Sequence, residues 1–282
     1  TLEMVKGSTS PFDPDFIALR PYPGMKQVAA NVLSCVQDSE VRASHIGCTK
    51  VQDAYSLRCI PQVHGATREN LNHLVDQVTI ELNAVTDNPI ILSDNKIISG
   101  GHFHGQPMAF AGDFLGIVMA ELANISERRI DRLLNPLINE TKPFLSVDPG
   151  VNSGLMIIQY TAASLVSENK ILAHPASVDS IPTSAYQEDH VSMGTIAARK
   201  AGTILEHTAQ VLAIEWLSAA QAYEFVSPLK LGKGSAAAYE LLRQHVPALG
   251  EDRILAPDLR VAKDLLWDSR LLDHVSKAVD IV

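Results

Sequence analysis

Three clusters of chemistry-bearing side chains stand out along the 282 residues. In the first, Gln52, Tyr55 and Arg58 sit three apart within Val-Gln-Asp-Ala-Tyr-Ser-Leu-Arg at 51–58. If that stretch is helical, the helical period spreads the three over about 120°, and an amide, a phenol and a guanidinium converge on one side. The set suits an amino acid ligand, because Arg forks a carboxylate with two parallel bonds and Tyr can pass a proton when a neighbouring cation favours its phenolate. The same spacing also fits a helix surface with an incidental ion pair. In the second cluster, Ser-Gly-Gly-His-Phe-His-Gly-Gln-Pro at 99–107, glycines around Phe103 predict unusual backbone next to a ligand. His102 and His104 are a candidate metal pair, yet no third ligand stands at suitable spacing, so no metal is expected; a solvated loop or a substrate-facing aromatic fits as well. In the third, Ser-Ala-Tyr-Gln-Glu-Asp-His at 184–190, Asp189 reads as a helix N-cap and the helix dipole accounts for the acidic residues. Glu188 is one carboxylate more than capping requires, and is a candidate general base or partner for a cationic substrate. A further stretch, Ser167-Glu168-Asn169-Lys170, sets polar groups in an apolar helix and demands partners or exposure.

Long helices must carry these clusters. Met108, Leu115, Val118, Leu122 and Ile125 recur at spacings of three, four and seven, with Ala and Gly filling the other faces. The pattern predicts a rod of roughly 25 residues or more and about 40 Å, buried nearly all round and stopped by Asn135-Pro136. A second rod follows Asp189, keeps its period from Met193 to Trp216, and is closed by Pro228. Shorter helices are expected at 24–34, 67–85, 153–173, 235–245 and 259–279. One strand pair, 90–92 with 96–98, is joined by Ser93-Asp94-Asn95 as a hairpin. Rods this apolar predict outer faces that meet other subunits of a homo-oligomer.

Composition narrows the function classes. With 46% hydrophobic and only 5% aromatic residues and few alternating β-branched runs, an all-β sandwich is excluded. The apolar run 108–125 is interrupted by Asp113, Glu121 and Asn124, so no membrane span is expected. A net charge of -9 without a basic tract argues against a nucleic-acid partner. Cys35, Cys48 and Cys59 are odd in number and lack a Cys-x-x-Cys pair, which suits reduced thiols in a cytoplasmic protein. The opening Thr-Leu-Glu-Met-Val-Lys has no initiator Met and no signal-peptide core, so the chain is expected to begin inside a longer polypeptide.

Taken in order, these segments resemble the histidine ammonia-lyase family, within the wider group of aromatic amino acid ammonia-lyases and aminomutases. The resemblance rests on Gly-Ser-Thr-Ser at 7–10, Arg-Pro-Tyr-Pro-Gly at 20–24, residues 51–65, Glu-Leu-Asn-Ala-Val-Thr-Asp-Asn-Pro at 81–89, residues 100–105 and residues 179–194. It covers most of the chain and matches the family's C-terminal half. It implies an all-α, long-helix bundle of the fumarase/aspartase kind with one short β-hairpin. Residues 1–225 would form part of the central bundle and 226–282 a C-terminal helical segment. Arg58 would bind the substrate carboxylate, Tyr55 would be a catalytic acid/base, Phe103 a pocket wall, and Gln52 and Gln187 substrate-binding groups. Glu188 matches a position that is acidic in histidine-specific members and an amide in phenylalanine-specific ones, and a carboxylate can take an imidazole N–H bond or proton. His102 and Tyr186 stand where the family usually has Asn.

The implied activity is elimination of ammonia from L-histidine to give urocanate, in a homotetramer whose sites combine several subunits. The family makes its electrophile, a methylidene-imidazolone, by cyclising an internal Ala-Ser-Gly. Here the Ala-Ser pairs are followed by His45, Leu165 and Val178. The electrophile is therefore expected on a missing N-terminal part of the same enzyme, and the chain alone is expected to be inactive. The alternatives are a tyrosine or phenylalanine ammonia-lyase or aminomutase, and a non-catalytic helical assembly fragment.

Overall fold

The computed structural model describes all residues except 49 and 140. The chain runs α1 (Pro14–Ala18), α2 (Pro23–Cys35), α3 (Glu40–Ala43), α4 (Tyr55–Arg58) and α5 (Ile60–Leu82), then the hairpin strands β1 (Ile90–Ile91) and β2 (Ile97–Ile98). It continues through α6 (Gln106–Leu134), α7 (Met156–Leu172), α8 (Gly194–Tyr223), α9 (Lys233–Arg243), α10 (Ala256–Trp267) and α11 (Arg270–Val275). Among the described residues the architecture is all-α apart from the hairpin, whose antiparallel register pairs Ile90 with Ile98 and Ile91 with Ile97.

The two rods of the sequence are α6 and α8, packed side by side along most of their length. Pro107 in the first turn of α6 has no N–H that would need a partner there. The first half of α6 buries Ala109, Asp113, Gly116, Met119 and Ala123, at steps of four, three, three and four. Small residues on that stripe let α8 approach closely through Ala197 and Ala201. The opposite side leaves Phe110, Phe114 and Ile117 exposed. Burial all round is thus not what the chain achieves by itself, because its own neighbours cover one side of this segment. By length and composition α6 would also pass as a membrane-crossing helix, but it lies along α8 with Asp113 buried against polar partners.

The main core gathers Phe12, Ile17, Leu57, Ile130, Leu134, Leu145 and Ile214 from both ends of the chain. A second cluster, with Leu217, Leu242, Ala262 and Leu265, fills the space between α8, α9 and α10. Leu259 touches both. Asn169 accounts for the polar stretch on α7: it is buried and its Oδ1 lies 2.9 Å from His207 Nδ1 on α8, while Ser167, Glu168 and Lys170 face solvent.

Three expectations are corrected. Helix α5 starts at Ile60, seven residues before 67, because Pro61 fits a first turn that needs no N–H. The single helix expected over 259–279 is two, α10 and α11, broken where Ser269 adopts a left-handed φ of 60°. Asp189 caps no helix: α8 begins at Gly194 with Met193 at its N-cap. The reason is a competing antiparallel bridge, in which the Thr183 and Glu188 amides donate to each other's carbonyls at 2.9 and 3.4 Å.

Where α2 and α5 cross, Gly65 faces Met25 with no room for a side chain. A Cβ there would lie 2.7 Å from the Met25 nitrogen and 2.8 Å from its Cα. Gly65→Ala should therefore destabilise the chain by about 1–3 kcal/mol, read as a lower denaturant midpoint. An unchanged midpoint would mean the two helices separate without penalty.

Candidate functional site

The residues singled out by sequence fall into two groups. In the first, Asp53 does the positioning. Its Oδ2 accepts the Ser8 amide at 2.7 Å, tying the Gly-Ser-Thr-Ser segment to the 51–58 segment, and its carbonyl accepts Arg58 Nε at 2.9 Å. The Arg58 guanidinium carbon then lies 4.5 Å from the centroid of the Tyr55 ring, a cation–π contact. Only Tyr55–Arg58 is helical; Gln52 lies in the irregular segment before it, so the expected single helical face is replaced by a turn. Gln52 and Arg58 line a cavity of about 490 Å³ with Lys6, Ser8, Arg42 and His45. Tyr55 is 70% exposed beside it. Burial first, and then the Lys6 and Lys50 ammoniums, lower the pKa of His45. The cavity is cationic in a chain of net charge -9, as a carboxylate-bearing ligand requires.

The second group stands at the entry to the two rods. Phe103 is exposed in the loop that leads into α6, and Gln187 and Glu188 are exposed in the loop that leads into α8. The loops are joined through His104, whose Nε2 lies 2.9 Å from the His190 carbonyl and whose ring stacks on that of His190 at 5.7 Å and 8°. Glu188 Oε2 accepts the Thr183 hydroxyl at 2.7 Å. Asn88 Oδ1 accepts the Gly100 amide at 2.9 Å and braces the base of the Phe103 loop. Phe103, Gln187 and Glu188 do not line the cavity of Gln52 and Arg58. His102 and His104 join no cluster of three or more His, Cys, Asp or Glu side chains able to hold a metal ion among the described residues.

Sequence reading missed Asp53 and Asp113. Asp53 carries no signal by residue type, yet its carboxylate and its carbonyl join residues 8 and 58. Asp113 registered only as an interruption of an apolar run, where a buried carboxylate signals a partner elsewhere in the chain.

The model of the aromatic amino acid lyase family matches residues 1–244. The chain belongs to that family. The aromatic amino acid lyase chain is 52% identical to the histidine ammonia-lyase of Alkaliphilus metalliredigens over 283 residues, covering 100% of this chain and 56% of that protein. It is also 52% identical to the histidine ammonia-lyase of Gloeobacter violaceus, over 99% of this chain and 54% of that one. Among solved structures, histidine ammonia-lyase from Trypanosoma cruzi matches with a TM-score of 0.89 and 41% identity, covering 99% of this chain and 53% of that one. Tyrosine aminomutase from Streptomyces globisporus matches with a TM-score of 0.91 and 38% identity, over 100% and 57% respectively. This lyase chain thus spans just over half the length of the relatives it matches.

Proposed function

We propose that the chain is the C-terminal part of a histidine ammonia-lyase, which removes ammonia from L-histidine to give urocanate. Arg58 forks the substrate carboxylate with its terminal nitrogens, since Nε is already committed to Asp53. The Gln52 amide lines the same cavity and binds the amino acid head group. Tyr55, accessible and in contact with the Arg58 guanidinium, is the acid/base that moves a proton in the elimination. Phe103 packs against the imidazole ring, while Gln187 and Glu188 hydrogen-bond it. The observation that carries the histidine reading is Glu188, an exposed carboxylate held by one hydroxyl and free to accept an imidazole N–H. Because the two groups of residues do not line one cavity, we infer that sites are completed between copies of the chain in a homotetramer.

The family's electrophile does not fit the residues present. Cyclisation needs a glycine amide after Ala-Ser, whereas Ala163-Ser164 lies inside α7 and is followed by Leu165, and the Ser177 amide of Ala176-Ser177 is bonded to Asp113. Ala43-Ser44 is followed by His45, and the Ser44 hydroxyl donates to the Val41 carbonyl. The electrophile is accordingly assigned to polypeptide outside these 282 residues.

The expected result is that the complete protein converts histidine to urocanate in preference to tyrosine or phenylalanine, and that this chain alone does not. The ultraviolet absorbance of urocanate reports both. Turnover by the chain alone would overturn the assignment of the electrophile. Preferred turnover of tyrosine, with the amine migrating, would favour the aminomutase alternative suggested by the similarity to the Streptomyces enzyme.

A further inference from the structure

The loop that carries Gln187 and Glu188 is closed on itself by the Thr183–Glu188 bridge, but it buries nothing that would hold it against the bundle. Every residue from 181 to 190 is exposed. Ser184, Ala185 and Tyr186 all adopt left-handed φ values, of 50°, 55° and 66°, which side chains larger than glycine disfavour. Such a conformation persists only where the surroundings impose it. The bridge and the Ser184–Gln187 bond set the local shape, and polar ties at the two ends of the loop set where that shape sits on the bundle.

At the far end the ties come from loop residues: the His190 carbonyl meets His104 Nε2 of the Phe103 loop, and the Val191 amide donates to Ser180 Oγ at 2.8 Å. At the near end they come from inside the bundle. Asp113, 7% exposed on α6, accepts the Ser177 amide through Oδ2 at 2.7 Å. Seven residues earlier on the same face of α6, Gln106 Nε2 donates to the Ser177 carbonyl at 2.9 Å. Both backbone polar groups of one loop residue are therefore fixed by two side chains of a single rigid helix. Lys200 on α8 completes the arrangement, with Nζ 3.5 Å from Asp113 Oδ1 and donating also to the His174 carbonyl. Burial raises the Asp113 pKa, but the Ser177 amide and hydroxyl, the Ala176 amide and the Lys200 charge outweigh it and leave the carboxyl below its ordinary value. The anchor is thus charged when the loop is in place.

We propose that Asp113 is the positioning residue of the substrate-ring loop: bonded from within α6 to Ser177, it sets where Gln187 and Glu188 stand without itself touching substrate. The catalytic half of this proposal rests on the histidine ammonia-lyase reading; the structural half does not. A loop shift of about 1 Å suffices to cost about 10²-fold in rate when the groups it carries must meet a substrate in defined geometry.

The test joins amide hydrogen exchange with kinetics, both on the complete protein. Asp113→Ala removes both carboxylate oxygens and should raise exchange of the 177–191 amides at least about tenfold, with α6 and α8 still protected. It should lower kcat/KM for histidine about 10²-fold, mostly in kcat. Asp113→Asn keeps an oxygen for the Ser177 amide, so loop protection should persist and most of the activity return. If Asp113→Ala does not fold, Gln106→Leu cuts the other tie to Ser177 without disturbing the buried carboxylate, and the same loop amides should exchange faster. Unchanged exchange at 177–191 overturns the proposal whatever the enzyme's substrate. Faster exchange with undiminished histidine turnover overturns the positioning role alone. If the parent protein does not act on histidine at all, the lyase reading fails, and exchange still decides whether Asp113 anchors the loop.

Discussion

Glu188→Gln in the complete lyase should lower kcat for histidine by about 10²- to 10⁴-fold, the usual cost of removing a positioned acid or base, and leave the unfolding midpoint where it was. The two halves of that expectation have separate causes. Glu188 precedes the first residue of α8 by six positions and faces solvent, so no helix dipole depends on its charge. Its single side-chain bond comes from the Thr183 hydroxyl, which an amide oxygen accepts as readily. The Thr183–Glu188 backbone bridge is indifferent to the side chain. The substitution therefore keeps the loop and removes the negative charge, the property that distinguishes recognition of an imidazole from recognition of an apolar ring. Steady-state kinetics and a thermal melt on the same preparation check both. A lowered midpoint with kcat within a few-fold of the parent would return Glu188 to a structural role and remove the strongest support for histidine.

That pair of outcomes also shows where the sequence was legible. The 3.6-residue recurrence from Met108 to Leu134 located α6 because a long buried stripe leaves its period in the residue types. The strand pair at 90–98 was equally plain, since isoleucines flank a polar turn. The start of α8 was not, because Asp189 is a sound N-cap by residue type and the bridge that overrides it is a backbone interaction with no residue signature. Gln52, Tyr55 and Arg58 could be picked out as a set, but their arrangement depends on the Asp53 carbonyl, a group every residue carries. The separation of Phe103 and Glu188 from the Arg58 cavity was beyond reach for a related reason: spacing along a chain does not say which loops share a cavity.

The largest stability effect is expected at Arg129, on the half of α6 that contributes most of its buried residues. Its guanidinium grips Glu215 of α8 with two bonds, Nε to Oε1 at 2.6 Å and Nη2 to Oε2 at 2.8 Å, while Nη1 lies 3.2 Å from His64 Nε2 on α5. Ser126 adds a hydroxyl bond to Glu215 at 2.6 Å. Arg129→Met would leave the buried carboxylate with the Ser126 and Thr1 hydroxyls but without its guanidinium and should cost about 3–5 kcal/mol in denaturant unfolding, whereas adding Glu215→Leu should restore much of the loss, since an apolar pair leaves no buried carboxylate without its guanidinium. A double variant as unstable as the single one would show that the arginine acts by packing alone. Acid titration separates the partners. Burial raises the Glu215 pKa, but the Arg129 charge and bonds, the Ser126 hydroxyl and the charge of the Thr1 amino group outweigh it and hold the carboxyl at about 2, against 4.5 in the unfolded chain. Its contribution is therefore complete above pH 4.5 and lost as pH falls from 4.5 towards 2. Burial, then the Arg129 charge, pushes His64 from 6.5 down to about 4, so the unfolded chain takes up a proton that the folded one refuses, and stability declines as pH falls from 6.5 to 4. His64→Gln should flatten the upper limb and leave the lower. Arg129→Met should weaken both, because the same guanidinium holds the carboxyl down and opposes protonation of the imidazole.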